Sequence, residues 1–133
     1  PKTLKVAEIA NDPPMNILKG TKSSEKLNFE NILIKSPSHF KNLSDQSYNF
    51  GIRASEIKLD SQGEEFEIEL AEISGSETLL HLKKGESKVI ALIEEVMNFK
   101  IHEKVKIKFN ENKLYAFDQN EKLVSSPYGV SHG

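Results

Sequence analysis

Arg53 is the only arginine among the 18 basic side chains of this 133-residue chain. It stands in Gly51-Ile52-Arg53-Ala54-Ser55-Glu56-Ile57, where a strand-like pattern breaks into a turn. A planar guanidinium grips a carboxylate or several carbonyls with fixed geometry, which the point charge of lysine does not. The other chemistry-bearing residues are dispersed. His39, His81, His102 and His132 share no metal-ligand spacing and read as separate surface or strand histidines. Glu65, Glu67 and Glu69 alternate with apolar residues, but side chains two apart on one strand face lie roughly 7 Å from each other. That is too far to hold a small cation without other strands, so a solvated sheet face is expected. The lysines at 104, 106 and 108 read the same way, and if the two strands are neighbours each opposite pair favours pairing by roughly 0.2–1 kcal/mol. Ser74-Gly75-Ser76-Glu77 places serine beside glycine without forming a G-x-S-x-G elbow, and no histidine is arranged locally to serve it. Neither a G-x-x-x-x-G-K-[ST] loop nor a G-x-G-x-x-G turn is present. The chain is therefore expected to carry no catalytic residues, no metal and no cofactor of its own.

Composition narrows the classes further. A length of 133 residues suits one domain with its own core. The net charge of −2 comes from acidic and basic residues mixed along the chain, and aromatic residues such as Phe66 and Phe109 fall on the apolar phase of strands. Nucleic-acid binding needs a concentrated positive face and stacking platforms, so it is disfavoured. Cysteine is absent, which excludes disulfides, thiolate zinc sites and a cysteine nucleophile and is compatible with a reducing cytoplasm. No apolar run approaches the roughly 20 residues of a membrane helix. The first residue is Pro1 rather than methionine, which reads as a piece excised from a larger polypeptide.

The elements that would position these residues are mostly short strands. Thr3 to Ala10 has the spacing of a short amphipathic helix, stopped by Asp12-Pro13-Pro14. From Met15 the period becomes two. Strands are expected at Leu27–Phe29, Ile32–Ile34, Tyr48–Ile52, Glu65–Leu70, Thr78–Leu82, Lys88–Ile93, Lys104–Phe109 and Lys113–Phe117, with turns at Lys84-Gly85-Glu86, Asn110-Glu111-Asn112 and Asp118-Gln119-Asn120. Ser36 to Ser47 reads as a long loop or one helical turn, and Ser125 to Gly133 as a loose tail. Many short strands with regular turns predict an all-β antiparallel sandwich or barrel.

Four segments, in order, carry a resemblance. They are Val6-Ala7-Glu8-Ile9-Ala10-Asn11-Asp12-Pro13-Pro14-Met15-Asn16-Ile17-Leu18-Lys19-Gly20, then Gly51 to Ile57, then Glu72-Ile73-Ser74-Gly75-Ser76-Glu77, and finally Leu114-Tyr115-Ala116-Phe117-Asp118 with Leu123. Together they resemble the transport-associated OB (TOBE-type) accessory domain of ATP-binding subunits in maltose-type and related sugar ABC importers, over almost the whole chain. Asn11-Asp12 stand where that family usually has Gly-Ser, Ala54 replaces its proline, and Ile101-His102-Glu103 lacks its glycine. These departures touch turns and leave the apolar phase of the strands intact.

The resemblance implies an OB-like antiparallel β-barrel over residues 13–124, preceded over 1–12 by the end of a helix from an absent nucleotide-binding domain and followed over 125–133 by a flexible tail. It implies a regulatory and dimerisation role, with ATP and magnesium bound by the absent domain. The partners implied are a second copy, the transmembrane permease subunits of an importer, and a regulatory protein or small-molecule ligand, at the cytoplasmic face of the membrane. The residues singled out are Gly51, Arg53, Glu56, Glu72, Gly75, Ser76 and Glu77. Gly51 and Gly75 would allow close backbone approach or positive φ. Arg53 would tie the turn through Glu56 or nearby carbonyls, or reach Glu72 or Glu77, and Glu72, Ser76 and Glu77 would alternatively line a subunit contact. A small-molecule or oxyanion sensor is the second reading, and a stand-alone nucleic-acid-binding OB fold the third.

Overall fold

A computed structural model describes residues 14–128. The helix expected over 3–10, the 1–12 linker and residues 129–133 of the expected tail lie outside the described residues. Ten strands follow one another: β1 Met15–Ser23, β2 Lys26–Phe29, β3 Ile32–Lys35, β4 Ser47–Arg53, β5 Ile57–Ser74, β6 Glu77–Lys84, β7 Ser87–Ile93, β8 Lys104–Phe109, β9 Tyr115–Phe117 and β10 Leu123–Ser125. Helical structure among the described residues is confined to 3-10 turns at Ser38–Phe40, Ala54–Glu56 and Glu111–Lys113. One sheet has the order β10-β9-β4-β1-β2-β3 and the other β7-β6-β5-β8, with every pairing antiparallel. The all-β, OB-like antiparallel class expected from the sequence is the class observed.

The alternation of side chains explains why two sheets form. Tyr48, Phe50 and Ile52 of β4 point inward and meet Leu27, Phe29 and Ile32 from the same sheet and Phe66, Ile68, Leu80, Leu82, Val89, Ala91 and Ile107 from the other in one buried cluster. Ring centroids of Phe29 and Phe50 stand 5.1 Å apart, edge to face, an arrangement that adds roughly 0.5–1.5 kcal/mol to the burial itself. Two-residue loops join β1 to β2, β2 to β3, β5 to β6 and β6 to β7. Ser24, Glu30, Gly75 and Gly85 each take positive φ at the first loop position, the backbone form whose twist matches that of the strands. At Ser24 the backbone N–H donates to Asp45 Oδ1 at 2.9 Å.

Closure of the barrel on one side depends on a side chain. Asn16, on the inward phase of β1, donates from Nδ2 to the Ile90 carbonyl at 2.9 Å and accepts from the Ile90 N–H at its Oδ1 at 2.7 Å. It thereby satisfies both backbone groups of an edge residue in β7, as a neighbouring strand would.

Several expected boundaries change. The strand read at 65–70 is the middle of the 18-residue β5, whose pairing shifts between Leu59 and Glu64 against β8 and between Ile68 and Leu70 against β6. Those irregularities interrupt the alternation on which the sequence reading relied. Lys113 is not in a strand, because Asn110 accepts from the Asn112 N–H at 3.2 Å and turns 111–113 into a 3-10 turn. Ser125, expected in the loose tail, ends β10 at 1 % exposure and donates from Oγ to the His39 carbonyl at 3.0 Å. The polar stretch 36–47 does carry one helical turn, anchored by fully buried Phe40.

Candidate functional site

Arg53 closes β4 on its outward phase. Register places Met15 opposite Arg53, Ile17 and Tyr115 opposite Gly51, and Phe117 opposite Asn49, so these side chains share the outer face of the larger sheet. There Met15 and Phe117 are buried in a second, smaller cluster with Ile17, Tyr115 and Leu123 packed against them. Gly51 lies beneath it: a Cβ at this position would stand 2.8 Å from Met15 Sδ and 3.2 Å from Phe117 Cε1. Close approach explains that glycine. The Arg53 guanidinium lies 5.7 Å from the centroid of the Tyr115 ring, within the range of a cation–π contact.

This differs from the anchoring expected for Arg53. Among the described residues it makes no ion pair with Glu56, Glu72 or Glu77. The reason is strand parity, which sends Arg53 to the outer face, whereas Glu56 turns toward the end of β8. Glu56 accepts there from Asn110 twice, at Oε1 from Nδ2 at 3.1 Å and at its carbonyl from the N–H at 3.0 Å. Glu72 pairs with His81, whose Nε2 is 2.7 Å from Glu72 Oε1. Gly75 and Ser76 form the exposed two-residue loop between Ser74 and Glu77. Gly75 has φ +62° and open space around it, so its backbone form, not crowding, selects glycine. The seven singled-out residues thus divide into two places, the Gly51–Glu56 turn and the β5–β6 hairpin, and no hydrogen bond or ion pair joins them.

Charge organises the outer face of the smaller sheet. Glu65 opposes Lys106 and Glu67 opposes Lys104 across β5 and β8, as the two charge ladders anticipated, with Lys104 Nζ 3.6 Å from Glu67 Oε1. His102 Nδ1 donates to Glu67 Oε2 at 2.7 Å. That hydrogen bond, aided by the Lys104 charge, holds the Glu67 carboxyl below its usual range. His102 has φ +74° and is held there by its N–H bond to the Ile68 carbonyl at 2.7 Å. At the far end of the barrel, Asp45 accepts from the Ser24 N–H and from Lys22 Nζ at 3.2 Å, and both lower its carboxyl. Among the described residues no cluster of three or more acidic or histidine side chains is placed to hold a metal, and no helix is long and apolar enough to cross a membrane.

A shallow cleft of about 440 Å³ lies on the outer face of the larger sheet, lined by Lys19, Thr21, Asn28, Asn49 and Gln119 among others. Its lining offers donors and acceptors but no reactive pair. Two residues of the site escaped the sequence reading. Asn16 carried a signal, a polar residue on the inward phase of an alternating strand. Tyr115 carried none, since nothing local ties it to Arg53.

No family model matches the chain. Among curated proteins it is similar to the sn-glycerol-3-phosphate import ATP-binding protein UgpC of Shigella sonnei, 27% identical over 124 residues. It is equally similar to the proteins of that name from strains of Escherichia coli. The match takes in 89% of this chain, which spans 35% of the length of these relatives: what the chain is similar to is a segment of an import ATP-binding protein.

Proposed function

We propose that this chain is the accessory β-domain of the ATP-binding subunit of an ABC-type importer, a regulatory and dimerisation module that holds two such subunits together. The observation that carries the proposal is the 27% identity over 124 residues to import ATP-binding proteins, in a chain whose ordered motifs, over the described residues, fall on the start of β1, the β4–β5 turn, the β5–β6 hairpin and β9–β10. In this reading ATP and magnesium are bound and hydrolysed by the remainder of such a polypeptide. Membrane permease subunits are its partners at the cytoplasmic face, and the solute is a sugar or sugar-phosphate-like compound. The chain's own residues contribute rigidity. Asn16 joins the two sheets, the Met15–Phe117 cluster fills the outer face where β1 begins, and Arg53 over Tyr115 stiffens the margin of that cluster.

The test is the gene product that carries this sequence, assayed for ATP binding and for pairing of its subunits with and without residues 14–128. Loss of pairing with ATP binding intact is expected. Unchanged pairing without this region sinks the reading. A second reading, sensing of a small polar solute, is favoured by the cleft at Lys19, Asn28 and Asn49. Calorimetric titration with sn-glycerol-3-phosphate, sulfate and molybdate separates the two, because a purely architectural domain gives no heat.

A further inference from the structure

The outer face of the β7-β6-β5-β8 sheet is two surfaces in one. Its β5–β8 half is a ladder of Glu65, Glu67, Lys104 and Lys106, the polar exterior expected of a solvated antiparallel sheet. Its β6–β7 half is different. Outward positions along β6 read Glu77, Leu79, His81, Lys83, and along β7 they read Lys88, Ile90, Leu92, with exposed Glu94 continuing the same phase just past the strand end. The inward positions between them, Leu80, Leu82, Val89 and Ala91, are buried in the core, which fixes the outward phase. Leu70 of β5, directly opposite His81, extends the apolar band at 44 % exposure.

Along the chain β6 therefore runs from an anion to a cation and β7 from a cation to an anion, each across two central side chains. Because β6 and β7 are antiparallel, both cations lie at one end of the face and both anions at the other. Lys83 stands directly opposite Lys88, a like-charge pair that is unfavourable unless an anion joins it. Lys88 is 3.7 Å from Glu69, whereas Lys83, Glu77 and Glu94 have no ion pair among the described residues. Glu67 stands opposite Lys83 across β5 and β6 but is taken up by His102 and Lys104, so Lys83, Glu77 and Glu94 are the charges of this face that a copy of itself would pair.

We propose that this half-sheet is the surface on which a second copy of the chain docks, face to face about a two-fold axis running across the strands between His81 and Leu79. That operation stacks Lys83 on the partner's Glu77 and Lys88 on the partner's Glu94, and lays Leu79 on the partner's His81 and Ile90 on the partner's Leu92. A contact in which a patch meets itself this way is isologous and closes at two subunits. Sheets packed on their faces interdigitate at about 10 Å separation, so the leucine and isoleucine side chains are long enough to meet. The inference rests on the dimerisation role proposed above and adds the surface that serves it.

The test is sedimentation velocity of the full 133-residue chain over a wide concentration range, with circular dichroism to verify folding. Lys83→Glu and Glu77→Lys should each weaken self-association at least tenfold, since each places like charges in contact twice per dimer. The double variant carrying both changes restores it, a rescue that damage to the fold does not produce. Leu92→Asp abolishes it. A wild-type chain that stays monomeric at every concentration, single reversals without effect, or a double variant no better than the singles overturns the proposal. The accessory-domain reading falls separately, through the deletion experiment on the parent gene product.

Discussion

Asn16 shows how much one side chain can decide. Its amide replaces a strand at the edge of β7, with both Ile90 backbone groups bonded at 2.9 and 2.7 Å. Asn16→Ala leaves those groups to find water or stay unpaired, at a cost of roughly 1–3 kcal/mol. Denaturant unfolding reads that loss, and faster amide exchange at Ile90 than in the centre of β6 identifies its source. Glu67 supplies a pH dependence. Its folded-state carboxyl is depressed, chiefly by His102, so its contribution to stability is present above the ordinary value near 4.5 and is lost as pH falls through the lowered one. The melting temperature of the wild type should drop more steeply than that of Glu67→Gln as pH falls below 4.5, and parallel curves would refute this. Asn16 was legible as a polar residue on an apolar phase. Arg53 was legible as unusual, but its partner Tyr115 was not, because a ring placed by β9 is tied to β4 only through the sheet.

Hairpins are the elements that sequence wrote most plainly. Lys84-Gly85-Glu86 announced a turn, the resemblance marked Gly75 for close approach or positive φ, and both glycines open two-residue loops at positive φ. Gly75→Ala and Gly51→Ala test two different causes for glycine. At Gly75 the space is open and φ is +62°, so alanine costs about 1–2 kcal/mol from backbone conformation alone. At Gly51 the backbone needs no special form, but Met15 and Phe117 crowd the added methyl, and overpacking costs roughly 1–3 kcal/mol. Met15→Ala in the Gly51→Ala background should recover part of the second loss through the vacated space, and no neighbouring truncation should recover the first. Strand ends and bulges were less legible. The β5 irregularities at 59–64 and 68–70 depend on two partners with different registers, and Ser125 joins a strand because His39, far away in sequence, offers it a carbonyl.

For the whole molecule, charge is distributed so that the net value of −2 conceals its pattern. One half of the small sheet is neutralised internally, and the other holds its cations and anions apart. Self-association through that half should fall as salt rises, since rim ion pairs are screened over about 8–10 Å at physiological ionic strength. Salt-independent association in sedimentation runs would instead assign the contact to apolar surface alone. The amino-acid sequence by itself determined the all-β class, most strands, the turns and the absence of a catalytic motif, because alternation, glycine placement and side-chain chemistry are local properties. Only the tertiary structure decided that Asn16 seals an edge, that Arg53 lies on a tyrosine rather than a carboxylate, and which lysines and glutamates are left without partners. Those outcomes depend on which strands become neighbours and in what register, and register is set by all of the strands together.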